Sequence, residues 1–202
     1  CKYSPVIERY SIDECFMDMT GMNLLYNDPV KLAYKIKDEI YKELGFTVNV
    51  GIGNSKLCAK MASDFEKPNR VHTLFDEEIK TKMWPLNVED LFMVGKSSSS
   101  KLRQIGINTI GDLAKADVNL LIRYFKSQGK LMHDFANGID KSLVERPIPK
   151  NQGIGHSTTL PEDLIDIVSI KKVIRKLSEM VGLRLRKEGK YATVISIQLK
   201  NN

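Results

Sequence analysis

The chain has 202 residues, 42% of them hydrophobic, and a formal net charge of +6 from 31 basic and 25 acidic side chains. That length allows one or two domains with real cores, and the basic excess favours a polyanionic partner. No apolar run approaches the roughly 18 residues of a membrane span, no signal peptide is visible, and the three cysteines and three histidines show neither disulfide nor zinc spacing, so no membrane is expected and a reducing cytoplasm is.

The charge is unevenly spread. Residues 1–72 carry ten basic and ten acidic side chains, whereas residues 152–202 carry nine basic and five acidic. A polyanion would therefore be held by the later part of the chain.

In chain order, residues 4–20 read as a β-hairpin, with Val6, Ile7, Tyr10 and Ile12 on one side and Cys15–Met19 as the partner strand. Asn27-Asp28-Pro29 starts a helix that runs to about Leu44, with Leu32, Ile36, Ile40 and Leu44 as its buried stripe, and Gly45 stops it. Phe46–Ile52 alternates as a strand. A second helix is expected from Ser55 to about Lys67, limited by Pro68. This pattern predicts an α+β layer, helices on one face of an antiparallel sheet. Val71–Leu74 is a short strand or linker.

From Asp76 to about Asn137 the apolar spacing is helical but broken by Pro85 and several glycines, which predicts a bundle of short helices. Arg146–Gln152, with two prolines, reads as a linker. Beyond it come a strand at Ile154–Thr159, an amphipathic helix from about Leu164 to Lys187, and a strand at Tyr191–Leu199. The helix stripe from Ile170 to Val181 is expected to cover the face made by Tyr191, Ile195, Ile197 and Leu199.

Three segments carry chemistry. Asp13 and Glu14 are adjacent carboxylates at the hairpin tip, where they could hold a divalent cation such as magnesium or form a solvated turn. Gly51–Ser63, closed by Lys67-Pro68-Asn69, is a Gly-rich strand end feeding a helix N-terminus, a place that favours anions. Lys56, Lys60 and Lys67 share one arc if the helix stays regular to Lys67; they are either a phosphate-binding row or a solvated basic face. Leu91–Lys96, Lys101–Ile107 and Thr109–Ala114 form a Gly-containing helical hairpin, or an ordinary helical turn.

Together these segments resemble the Y-family lesion-bypass DNA polymerases, nearest to the UmuC-like branch. Ser11-Ile12-Asp13-Glu14, followed by Phe16, Asp18 and Thr20-Gly21, is similar to the family's palm motif. Lys67-Pro68-Asn69 matches its triphosphate-contacting lysine, and the segment around Gly95 resembles its helix-hairpin-helix, with Ser97 where a second glycine is usual. Ile154–Pro161 resembles the opening of the little finger.

The resemblance implies a partial palm (1–74), a helical thumb (75–146), a linker (147–152) and the first half of a little finger (153–202). It further implies template-directed nucleotidyl transfer past damaged bases with two Mg²⁺ ions, primer-template DNA and dNTPs. Asp13 and Glu14 would be catalytic metal ligands, with Lys67 and then Lys60 on the nucleotide. Gly95, Lys96, Ser97, Lys101, Ser157, Thr159, Ser196 and Lys200 would contact DNA. A sliding clamp stays open as a partner of the full-length protein. The family's first palm strand and fingers have no counterpart before Cys1, so the chain reads as a piece of a longer protein, inactive alone and able to self-associate through residues 153–202. Sequence-independent DNA binding without catalysis, or another palm enzyme such as a nucleotide cyclase, are the alternatives.

Overall fold

Residues 2–145 and 153–200 are described by a computed structural model, and they fall into two units, Cys1–Pro147 and Ile148–Asn202. The first opens with the expected hairpin. Strands β1 (Val6–Arg9) and β2 (Cys15–Asp18) pair antiparallel with Arg9 opposite Cys15, which leaves residues 10–14 as the tip. Ser4 braces the open end by donating to the carbonyls of Val6 and Asp18 at 2.8 and 2.6 Å.

Helix α1 (Pro29–Leu44) starts where Asp28 accepts from the amides of Val30 and Lys31, and it ends at Gly45 with φ 74°. Its buried residues are Leu32, Ala33 and Lys37. Leu44, expected on the buried stripe, is 64% exposed, because the helix outruns the sheet that it covers.

Strand β3 (Val50–Gly53) begins four residues later than Phe46, and it pairs with β4 (Val71–Leu74) in parallel, Val50 opposite Val71. The antiparallel pairing expected for the layer therefore holds for β1 and β2 but not here. The reason is the connection: helix α2 (Lys56–Asp64) is a crossover that carries the chain back before the next strand. The class remains mixed α+β, with two separate two-stranded sheets.

Helix and strand are in very close contact. A Cβ on Gly51 would lie 1.9 Å from the Ala59 carbonyl oxygen, and one on Gly53 would lie 2.5 Å from Cys58 Cβ. The glycines expected to admit an anion are needed for packing.

Helix α2 stops at Asp64, three residues short of Lys67. The single lysine arc is therefore broken.

After β4 come a 3₁₀ turn (Asp76–Glu78), a π turn (Ile79–Met83) and a second 3₁₀ turn (Val88–Asp90). Helices α3 (Lys96–Gln104), α4 (Ile110–Lys115), α5 (Val118–Phe125) and α6 (Ser127–Ala136) then form the expected bundle. One core joins this bundle to α2: Leu57, Cys58 and Met61 pack with Met83, Leu91, Leu102, Leu113 and Leu121. Truncating one such buried leucine costs about 2–5 kcal/mol. Trp84 adds a long-range tie, its Nε1 donating to the Ala136 carbonyl at 3.0 Å.

In the second unit, α7 (Ile167–Lys187) starts three residues after Leu164, capped by Asp166, which accepts from the Ser169 amide at 2.8 Å. The strands expected at 154–159 and 191–199 run without ladder pairing among the described residues. A two-stranded ladder is marginal without further strands. Tyr191 and Ile195 are 96% and 84% exposed, so α7 does not cover that face. It contacts the other segment instead, through Arg184, which donates to the Gly155 carbonyl at 3.2 Å. The expected linker Arg146–Gln152 lies outside the described residues. Among those described, no helix is long and apolar enough to cross a membrane.

Candidate nucleotidyl-transfer site

The hairpin tip is tightly turned. The amides of Tyr10 and Ser11 both donate to the Glu14 carbonyl, at 3.0 and 3.2 Å. The Ser11 hydroxyl lies 2.7 Å from Asp13 Oδ1 and 3.4 Å from Glu14 Oε2, drawing the two carboxylates to one side. Asp13 is exposed and Ile12 fully so. Tyr10 anchors the base of the tip, edge-on to Phe16 at 5.4 Å and Phe92 at 6.1 Å between ring centroids.

Helix α2 meets this tip with two lysines. Lys56 binds both Glu8 oxygens at 2.7 and 2.8 Å and lies 5.1 Å from the Phe16 ring centroid. Lys60 pairs with Glu14 and, at 3.1 Å, with Asp64. Lys67, beyond the helix end, pairs with the other Asp64 oxygen at 2.7 Å. The charges therefore alternate from Lys67 through Asp64 and Lys60 to Glu14.

Burial works against the Lys60 charge, but hydrogen bonds to Glu14 and Asp64 outweigh it and hold the ammonium above the usual lysine value. Burial likewise works against the Asp64 and Glu8 charges. Hydrogen bonds from Lys67 and Lys60 hold Asp64 below the carboxylate range, and those from Lys56 and the Glu145 amide do so for Glu8.

Most amides of the α2 N-terminus already have partners, which works against an anion there. Ser55 accepts from the Cys58 amide at 3.2 Å, and Asp140 accepts from the Leu57 amide at 3.0 Å. Lys56 is committed to Glu8. Of the three lysines on the expected arc, Lys60 and Lys67 converge on Asp64.

Sequence reasoning passed over Asp64, although its i,i+4 spacing from Lys60 and i,i+3 spacing to Lys67 are legible as helical ion-pair positions. It also passed over Asp140 and Asn49. Asn49 donates to the Ser63 and Glu66 carbonyls at 3.1 and 3.3 Å and accepts from the Arg70 amide at 3.0 Å. No local signal marks either one, because their partners are remote in sequence.

As a donor set, the tip offers two oxygen-bearing groups, the number magnesium commonly takes alongside phosphate oxygens and water. Nitrogen and sulfur donors, which suit zinc, are not part of it. Among the described residues no three His, Cys, Asp or Glu side chains converge.

A second region lies around Gly95 at the start of α3. Gly95 precedes α3 with φ −83° and ψ 169°, and a Cβ there would meet nothing within 4 Å. Neither local conformation nor packing requires a glycine at that position. No side chain caps α3, and its first two residues, Lys96 and Ser97, are exposed. Lys101 is exposed as well. Ser99 is buried and donates to the Lys96 carbonyl at 3.1 Å. In the second unit Ser157, Thr159, Ser196 and Lys200 are all exposed, on segments that form no strand.

The class of protein follows from its similarity to solved structures. A Y-family DNA polymerase chimera of Dbh and Dpo4 matches with a TM-score of 0.75 at 26% identity, over 90% of this chain and 53% of the other. DinB from Sulfolobus solfataricus matches at 0.64 and 27%, over 71% and 43%. The fold is that of part of a Y-family polymerase.

Family models agree and together match more than half of the chain. The impB/mucB/samB family matches residues 1–64, and the impB/mucB/samB family C-terminal domain matches residues 151–202. The chain belongs to the impB/mucB/samB family. DNA polymerase IV of Clostridium acetobutylicum is 49% identical over 201 residues, 100% of this chain and 50% of that protein. DNA polymerase IV 2 of Bacillus subtilis is 39% identical over 204 residues, 98% and 50%. The chain spans about half the length of the curated relatives it matches.

The ion pairs predict a pH response. Glu8 and Asp64 have folded pKa values below their unfolded ones, so their stabilisation is complete above the unfolded values. It is lost as pH falls through about 4 and below. Lys60 has the opposite sign, its contribution being lost only as pH rises past the usual lysine value. Melting temperature measured from pH 6 to pH 3 should fall, and Asp64→Asn should flatten the descent. An unchanged slope in that variant would remove Asp64 from the balance.

Proposed function

We propose that the protein carrying this chain is a DNA-directed DNA polymerase that copies past damaged bases. The observation that carries this reading is the convergence of Lys60 and Lys67 on Asp64, with Lys60 also paired to Glu14 of the Asp13–Glu14 tip. Nucleotidyl transfer needs charge neutralisation and in-line positioning rather than covalent help from the protein. Asp13 and Glu14 are the residues to hold magnesium, two ions in the complete enzyme. Bound there, magnesium would stabilise the attacking and leaving oxygens. Lys67, the more exposed lysine, takes triphosphate oxygens, and Lys60 is the second such cation once Glu14 engages another partner. Asp64 keeps both lysines near the tip in the meantime.

We assign residues 1–74 to the palm, 75–146 to the thumb and 153–202 to part of the little finger, in a cytoplasmic protein. DNA is held by its backbone, through Lys96, Lys101 and the amides after Gly95 and at Ser97. Ser157, Thr159, Ser196 and Lys200 contribute in the second unit. Such contacts position a duplex without reading sequence. Primer-template DNA and dNTPs are the substrates, and a clamp is a candidate partner of the full-length protein.

In the full-length protein, Asp13→Ala and Glu14→Ala should abolish primer extension while DNA affinity stays near normal. Lys67→Ala should weaken dNTP use by about 1–3 kcal/mol, the scale of one charge-assisted contact. Wild-type turnover in either carboxylate variant would strip that residue of its role.

Gly95→Ser separates grip from fold. A serine suits the N-cap position and should leave stability equal or slightly higher, while its side chain obstructs close approach of a phosphate. DNA affinity should drop, and the slope of log affinity against log salt should shrink by about 0.9 for each phosphate no longer neutralised. Unaltered binding would favour the ordinary helical turn.

Self-association through residues 153–200 rests on the exposed Tyr191, Val194 and Ile195 and on backbone without ladder partners. Light scattering at tens of micromolar should report a dimer that disappears when residues 153–202 are deleted. A monomer before deletion rules it out.

A further inference from the structure

Lys37 is an anomaly of helix α1. It lies on the buried side of the helix, with a side chain only 9% exposed. A buried ammonium is costly unless it is paired and hydrogen-bonded. Its two acceptors differ in kind. Asp38 Oδ1, at 2.8 Å, belongs to its exposed neighbour in sequence. Asn69 Oδ1, at 3.0 Å, belongs to a turn 32 residues further on.

That turn follows Lys67-Pro68, and Asn69 has φ 60°, a left-handed conformation uncommon outside glycine and most tolerated by asparagine. The next amide, Arg70, donates to Asn49 Oδ1, and Asn49 also holds the carbonyls of Ser63 and Glu66. The segment from Ser63 to Arg70 is therefore gripped from two sides: by Asn49 at residues 63, 66 and 70, and by Lys37 at residue 69. Lys67 lies between these grips, its ammonium 2.7 Å from Asp64. Its side chain is 59% exposed, so apart from the Asp64 pair it is the backbone of the turn that sets where it points.

We propose that Lys37 is a positioning residue. It holds Asn69 in the left-handed conformation and thereby fixes where Lys67 presents its ammonium. The consequence for nucleotides rests on reading Lys67 as a triphosphate ligand. The positioning itself does not.

The 202-residue chain, labelled with ¹⁵N and ¹³C, provides the test. The readouts are hydrogen exchange at the Arg70 amide and the Lys67 side-chain resonances. Lys37→Met should speed Arg70 exchange about tenfold, the scale of one charge-assisted hydrogen bond, and should shift the Lys67 signals. Lys37→Arg, which keeps a buried cation donor, should restore both.

Asn69→Gly allows the same backbone angle without the acceptor. It should reproduce the Lys37→Met changes, and the double variant should show no more than either single one. It also serves if Lys37→Met fails to fold. Unmoved Lys67 signals in Lys37→Met or Asn69→Gly, or additive effects in the double variant, would overturn the proposal by reducing Lys37 to a packing residue.

Titration with inorganic tripolyphosphate and Mg²⁺ is scored separately. Weaker binding by Lys37→Met than by wild type connects the turn to phosphate capture. A wild-type Lys67 that ignores tripolyphosphate counts against Lys67 as the phosphate ligand, while the exchange result still decides the role of Lys37.

Discussion

Helix α2 lies so close on strand β3 that no side chain fits between them, and the geometry around the hairpin tip follows from that constraint. Gly51 and Gly53 are the residues that permit it, since a Cβ on either would enter the helix. With its inner face sealed by Leu57, Cys58, Met61 and Ala62, the helix has little freedom to rotate. Its lysines are then presented to the hairpin at fixed heights, Lys56 to Glu8 and Lys60 to Glu14. The crossover between parallel strands also brings the chain back past the helix end, which sets Lys67 against Asp64.

The electrostatics are as closely matched as the packing. Glu14 and Asp64 are balanced by Lys60 and Lys67, while Asp13 stays exposed beside them, accepting from the Ser11 hydroxyl. Such a tip keeps cations and anions close together before any ligand arrives. A phosphate and a metal ion entering together would exchange existing partners and leave no isolated charge behind, a favourable arrangement in a partly buried place.

The helical region contributes rigidity more than charge. Its core is continuous with that of α2, and the contacts among Tyr10, Phe92 and Phe135 run from the hairpin base into the bundle. Asp140 and Glu145 return to the α2 N-terminus and to Glu8. The palm-like and thumb-like segments therefore share their supports. The second unit is different in kind: among the described residues it has an amphipathic helix with no buried residue and flanking segments that lack ladder partners.

The local features were legible in the sequence because local chemistry decides them. Asp28 and Pro29 start α1, Gly45 ends it, and Ser55 caps α2, each acting within a few residues of itself. The alternation on both sides of Ser11–Glu14 gives a hairpin, and the motif pointed to the family. Tertiary structure decided what depends on remote partners. A strand's own residues do not say which neighbour it will meet, so the parallel pairing of β3 with β4 and the unpaired segments around α7 could not be read. The glycines of β3 looked like an anion cradle until α2 lay against them. Lys56, Lys60 and Lys67 read as one arc until Glu8 took Lys56 and Glu14 and Asp64 took the other two. Periodicity shows which face of a helix is buried, but a side chain's charge partner is set by what the fold brings within about 4 Å, and that is a property of the whole chain.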